Sequence, residues 1–341
     1  VGRNGAPAWH ARIVIRGDFA GLVAEGGTLY AVRHALHGPI ELNSRVVRIN
    51  PVTDRVVAQS RILPGAGLPV FAAGRLWVAG VTWYSPHATS EGPAVLTELN
   101  PVTLARIRQV PYRLGVTPGL FGGPGGLLME SSWLGTAHSC SLSWLNPATG
   151  RAFRSLLVAR NLGPCEGAAV DSSGRFLYVI VNGPSYDTTL YKFDARTGAV
   201  RARVRGLSQE PGGYGIVATP DRVWLSTGNP GAYGFLYYYL ASPLRLIASS
   251  CVDVCTTRGK MPYFGQFPDT GLSSGRVWVA SYGQLACFAP SSARALALVV
   301  QYHAPIVTNS LLEIDGRVWG STDGQNPPSG LVRLSPPRSC R

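Results

Sequence analysis

Five of the six histidines in this chain fall between apolar runs: His34, His37, His87, His138 and His303. Glu166 and Glu210 sit in similar stretches. Imidazole and carboxylate groups together can hold a divalent metal or move a proton. His34-x-x-His37 is a loop pair, not an i, i+4 pair on one helix face, so its spacing alone does not define a metal site. The same stretches carry Trp83, Tyr84, Trp133, Tyr186 and Tyr214. Aromatic rings beside histidine, with few charges, suit stacking on sugars, aromatic ligands or peptide. These residues are the candidate ligand-binding set. The expectation is no cofactor and no catalytic residue, with a divalent metal among them left open. No Gly-x-Ser-x-Gly elbow and no P-loop is present.

A repeat must position these residues. "VVRINPVTDRVVAQS", "LTELNPVTLARIRQV" and "LSWLNPATGRAFRSL" write one turn three times. Degenerate copies follow, and the turns begin at 50, 100, 146, 194, 241, 289 and 335. A period of roughly 47 residues points to a solenoid, propeller or array. A second signal runs in phase: "GGTLYAV", "AGRLWVA", "PGGLLME", "SGRFLYVI", "PDRVWLS", "SGRVWVA" and "DGRVWGS". Each is a turn, then a short apolar strand with a large residue at one fixed place. Upstream of each lies a strand of small residues such as "AGLVAEG" or "YGIVATP". Glycine and alanine fit where strands converge on a crowded axis.

Each repeat therefore reads as four strands, a to d, and alternation replaces any helical period. The expectation is an all-β chain, residues 1–341 forming one seven-bladed β-propeller with four-stranded antiparallel blades. The last repeat lacks strand d, and residues 9–16 supply a strand that closes the last blade. Asn or Asp opening each turn can bond the backbone two residues on, and proline then fixes φ. Gly150 and Gly198 supply positive φ beside an expected bulge. The Asn-Pro turn is read as scaffold. The candidate site residues belong to the b–c and d–a loops at the other strand ends, over the channel mouth.

Composition narrows the setting. Of 341 residues, 45% are hydrophobic and 14% charged, so the chain is globular and lightly charged. The net charge of +13 is carried almost wholly by arginine; Lys192 and Lys260 are the only lysines. These arginines are scattered and form no basic run, which argues against specific nucleic-acid binding. No apolar stretch is long enough for a membrane helix. No signal peptide is visible, which reads as a mature form or an excised domain. Six cysteines without zinc spacing favour disulfides and a secreted or cell-surface location. Cys140 and Cys165 lie in neighbouring loops, Cys251 and Cys255 in one loop, and Cys287 and Cys340 in adjacent repeats. Those pairs are the expectation among fifteen connectivities.

The repeat form "GR-[VL]-W-V-A … L-x-N-P-x-T-G-R-V" resembles the bacterial seven-bladed YVTN/YncE-like and NHL-like propellers. The architecture is also similar to virginiamycin B lyase. That second resemblance implies histidine and glutamate around a divalent metal. The corresponding segments here, "TPGLFGG", "GPCEGAAV" and "PGGYGIVA", lack that family's His-Gly. The leading expectation is a non-catalytic binding or scaffold platform with a protein, peptide or glycan partner. A metal-assisted lyase or hydrolase is one alternative, and a self-assembling structural surface protein is another.

Overall fold

The computed structural model describes residues 10–34, 44–82, 93–112, 119–123, 126–133, 139–160, 165–181, 188–205, 214–227, 235–250, 260–261, 269–273, 275–281, 284–300, 309–321, 329–335 and 338–340. They fall into two compact units, 22–209 and 1–21 with 210–341. The described chain begins with β1 (His10–Arg16), which belongs to the second unit.

The unit 22–209 contains four sheets, the first of which starts just across the unit boundary. The first is β2 (Asp18–Glu25), β3 (Thr28–His34), β4 (Arg45–Asn50) and β5 (Arg55–Gln59). The second is β6 (Pro69–Ala72), β7 (Arg75–Val81), β8 (Ala94–Leu99) and β9 (Arg106–Pro111). The third is β10 (Gly119–Gly123), β11 (Gly126–Trp133), β12 (Ser139–Leu145) and β13 (Ala152–Arg160). The fourth is β14 (Cys165–Val170), β15 (Phe176–Val181), β16 (Thr189–Asp194) and β17 (Val200–Arg205). Every pairing is antiparallel between sequence neighbours, as short turns require.

The second unit contains three sheets. One is β18 (Tyr214–Ala218), β19 (Arg222–Thr227), β20 (Phe235–Ala241), β21 (Leu244–Ser250) and a short β22 (Lys260–Met261). Next is β23 (Asp269–Ser273), β24 (Arg276–Ser281), β25 (Gln284–Phe288) and β26 (Ala295–Val300). The last is β27 (Asn309–Ile314), β28 (Arg317–Ser321) and β29 (Gly330–Ser335), completed by β1. β1 runs antiparallel to β29, from His10 opposite Ser335 to Arg16 opposite Gly330. The N-terminal strand thus supplies the outer strand that the last repeat lacks. β22 is an addition the repeat does not predict: it joins β21 in parallel as a fifth strand.

Burial explains the sequence pattern. Second strands such as β7 are buried on both faces, because a sheet packs against each side of them. Leu76 and Val78 face Tyr30, Val32 and Val46 of the first sheet. Trp77 and Ala79 face Leu120 and Leu145 of the third. The second unit repeats this, with Trp224 and Leu236 against Val277, Val279 and Phe288. Outer strands have one wet side, so β9 and β17 alternate exposed and half-buried residues.

The repeated turn joins the third and fourth strands of a sheet. The Asn50 side-chain oxygen accepts from the Val52 and Thr53 amides at 2.9 and 3.1 Å. Asn100 holds Val102 and Thr103 at 2.8 and 2.9 Å. Asn146 holds Ala148, and Asp194 holds Thr197, both at 2.8 Å. The fifth turn position is left-handed in each of these four: Asp54 at φ 56°, Leu104 at 58°, Gly150 at 70° and Gly198 at 65°. A one-residue register shift flanks each turn, with the extra residue (Val57, Ile107, Phe153 and Arg201) on the strand that follows, so the expected bulge is present. The copy at Ala241 departs from the others, with a cis Ser242–Pro243 bond.

Candidate ligand-binding face

The turn ends of the sheets are occupied by structural contacts. Tyr30 Oη donates to the Pro101 carbonyl at 2.9 Å, and Trp77 Nε1 to that of Pro147 at 3.2 Å. Trp144 Nε1 donates to Ala195 at 2.9 Å, and Trp224 Nε1 to Pro290 at 3.1 Å. Each acceptor is the second residue of the next sheet's turn. In the first unit an arginine takes the following carbonyl as well: Arg48 that of Val102, Arg108 that of Ala148, and Arg154 that of Arg196. Two of these guanidiniums lie over the aromatic that works beside them, Arg108 5.6 Å from Trp77 and Arg154 4.7 Å from Trp144. The third sheet moves its aromatic. Leu128 holds the repeat position on β11, and Trp144 stands directly opposite it on β12. Two in-phase donors, Tyr178 Oη and Trp319 Nε1, have no acceptor among the described residues.

Disulfides tie sheets together at both strand ends. Cys287 is the cross-strand partner of Trp278, and its bond to Cys340 joins β25 to the segment after the Ser335 turn. That bond ties neighbouring sheets at the turn end, as the aromatic donors do elsewhere. Cys140 and Cys165 bond at the opposite strand ends, between β12 and β14. Both pairings agree with the expectation from sequence. Cys251 and Cys255 lie outside the described residues.

The opposite strand ends carry those candidate residues that the structure describes. His34 ends β3, and its Nδ1 lies 2.9 Å from the hydroxyl of buried Ser44, just before β4. That contact ties together the two ends of the 35–43 segment. One ring nitrogen of His34 is thereby engaged with Ser44. Trp133 ends β11 opposite Ser139, and Ser132 beside it faces Cys140. Glu166 is the extra residue of a bulge next to Cys165. The Cys140–Cys165 bond therefore fixes the strand ends that bear Trp133 and Glu166 within one unit. In the other unit Tyr214 opens β18 opposite Thr227. His37, Trp83, Tyr84, His87, His138, Tyr186, Glu210 and His303 lie outside the described residues. Among the described residues no group of three or more His, Cys, Asp or Glu is placed to hold a metal ion.

Sequence reasoning missed one feature near this end. A groove of about 310 Å³ runs along the second sheet, walled by Leu63, Pro64, Val78, Val95 and Thr97. Thr82, the residue before Trp83 in the sequence, lines it too. The connector folds against β7, with the Val81 amide on the Pro64 carbonyl at 3.0 Å and the Gly67 amide on Ala79 at 2.9 Å. Gly80 makes this approach feasible: a Cβ there would stand 2.7 Å from the Pro64 oxygen. "GVTWY" shows a glycine in a strand, but nothing in the sequence says which backbone approaches it.

Solved structures share this architecture. Kuenenia stuttgartiensis hydrazine synthase matches with a TM-score of 0.64 at 12% identity, over 98% of each chain. The β-propeller domain of Myceliophteria thermophila Cps50 (Swd1) matches with a TM-score of 0.63 at 11% identity, over 96% of this chain and all (100%) of that one. The Dos1 propeller matches with a TM-score of 0.62 at 10% identity, over 96% and 94%. At such identities the likeness defines the fold. The chain is an all-β β-propeller with four-stranded antiparallel blades. No family model matches it, and no curated protein does.

Proposed function

We propose that the chain is an extracytoplasmic, non-catalytic binding or scaffold propeller that recognises its partner at the strand ends opposite the Asn-Pro turns. The division of labour between the two ends carries this reading. Turn carbonyls and their aromatic and arginine donors are committed to holding one sheet on the next. In the unit 22–209 the opposite strand ends bear Trp133 and Glu166, and Trp83, Tyr84 and His87 fall between β7 and β8 in the sequence; in the other unit Tyr214 opens β18. A partner of protein, peptide or glycan chemistry suits these rings. The disulfides suit an oxidising compartment, and no described helix is long and apolar enough to cross a membrane.

The same proposal takes all the sheets as blades of one seven-bladed ring, a single domain closed by β1, of the YVTN/YncE-like type. The even repeat and the β1–β29 pairing support it. A glycan array and a peptide-display pull-down with the whole chain test the binding role. Binding that is lost in Trp83→Ala and Trp133→Ala variants of unchanged melting temperature upholds it. Retained binding in both variants, or turnover that requires an added divalent metal, sinks it.

A further inference from the structure

The outer strand β17, "VRARVR", pairs with β16 on one side only among the described strands. Among the described residues its other side is a sheet edge, with free amide and carbonyl positions. The chain itself shows what such an edge accepts. β21 is the corresponding outer strand of its sheet, and Lys260 and Met261 add to it opposite Ser249 and Ser250. An edge of this construction recruits a strand.

Charge selects which strand. Arg201, Arg203 and Arg205 are all exposed. Arg203 and Arg205 stand opposite Tyr191 and Thr189 and share one face of the sheet. Alternate residues on a strand are about 6.6–6.8 Å apart. Alternating Glu or Asp on an added strand would meet this spacing in register. Arg201, at the bulge, gives one nitrogen to Asp194 at 2.8 Å. Arg203 and Arg205 have no ion pair among the described residues. Val200, 56% exposed, adds an apolar contact at the strand's start.

The arginines also exclude a second copy of the chain. β17 paired with itself would set arginine against arginine, which is destabilising. The described outer strands β1, β5, β9, β13, β17 and β26, and β21 with its added β22, contain no Asp or Glu, so no described outer edge could neutralise it. A net charge of +13 adds a long-range attraction for anions.

We propose that the exposed edge of β17 binds an extended acidic peptide segment as an added strand, with Arg203 and Arg205 reading alternate carboxylates. This surface is separate from the loop face and goes beyond the function proposed above. The test is fluorescence anisotropy of the full chain with a labelled peptide of alternating Glu and Val. Saturable binding is expected, about tenfold or more weaker in an Arg203→Glu/Arg205→Glu variant. An Arg203→Lys/Arg205→Lys variant keeps most of it, which separates charge from misfolding. Methylating the peptide's alternate amide nitrogens leaves its charge intact and should abolish binding. Equal binding by the methylated peptide would make the contact a diffuse electrostatic one and overturn the proposal. So would the absence of saturable binding to the unmodified peptide.

Discussion

The ring of Trp77 lies against Gly150, in the turn whose Pro147 carbonyl accepts the indole proton at 3.2 Å. A Cβ built on Gly150 would stand 2.8 Å from Trp77 Cη2 and 3.2 Å from Leu96 Cδ2. The residue also sits at φ 70°, where a side chain is strained. Partner sizes follow suit. Trp144 and Arg154 stand over Gly198, while the smaller Tyr30 serves the turn that carries Leu104 at the same position. Size is matched between the aromatic of one sheet and the fifth turn residue of the next.

Gly150→Ala should therefore destabilise the protein by roughly 2–4 kcal/mol, from left-handed strain plus overpacking. In a Trp77→Tyr background the overpacking part should shrink, giving a coupling of about 1 kcal/mol. Urea unfolding of the two single mutants and the double mutant measures this. Strict additivity would show that ring and glycine are independent.

How much of this was legible follows from what each residue encodes. The turn register, the large residue in the second strand and the N-terminal strand beside β29 could all be read, because local turn chemistry and alternation write them directly. The acceptor of each aromatic could not. It lies 66 to 71 residues away for Trp224, Trp77 and Tyr30, and spacing says nothing of contacts between sheets. Leu128 misleads for the same reason: its aromatic has moved across the ladder to Trp144, which only the register reveals. Two cysteine pairs were legible because their repeats are neighbours. At the candidate face, the Ser44 hydroxyl beside His34 could not be read either, because spacing does not show which side chains meet across ten positions.

The Cys287–Cys340 bond closes 53 residues of sequence, and Cys140–Cys165 closes 25. Loop-closure entropy caps their contributions at about 4 and about 3.5 kcal/mol. Cys287→Ser/Cys340→Ser should lower stability more than Cys140→Ser/Cys165→Ser. Melting curves of the two double variants under identical conditions compare them. The reverse order would mean that the end bearing Trp133 and Glu166 depends more on its covalent tie than the Ser335 turn does.

Lys192 is buried with its ammonium 3.8 Å from the Phe176 ring centre. Burial lowers its pKa most; Asp171 opposes that shift, and Arg175 adds to it. The native state then releases this proton before the unfolded chain does. The penalty is fully present below the lowered value and is relieved as pH rises from there toward about 10.4. Lys192→Met should be within about 1 kcal/mol of the parent at pH 7, since an apolar residue replaces a costly charge. It should also lose the rise in this window. Denaturant titrations from pH 7 to 10 check both, and an unchanged pH slope would rule out Lys192 as its source.

Tyr112 is the alkaline counterpart. Its hydroxyl donates to the Gly150 carbonyl, and burial pushes its pKa up to about 12. Unfolded tyrosine titrates near 10. Between those values the native state holds the proton that the unfolded chain has lost. The stabilisation is complete below about pH 10 and falls as pH rises toward about 12. Tyr112→Phe keeps the ring and removes the proton. It should cost about 1 kcal/mol at neutral pH for the lost hydrogen bond, then show a shallower decline above pH 10. Tyr178 and Tyr239 are raised by burial as well, so the decline should lessen without vanishing. Urea midpoints at pH 8, 10 and 11 decide the matter. Parallel curves for parent and Tyr112→Phe would show that the Gly150 turn is not where the alkaline loss begins.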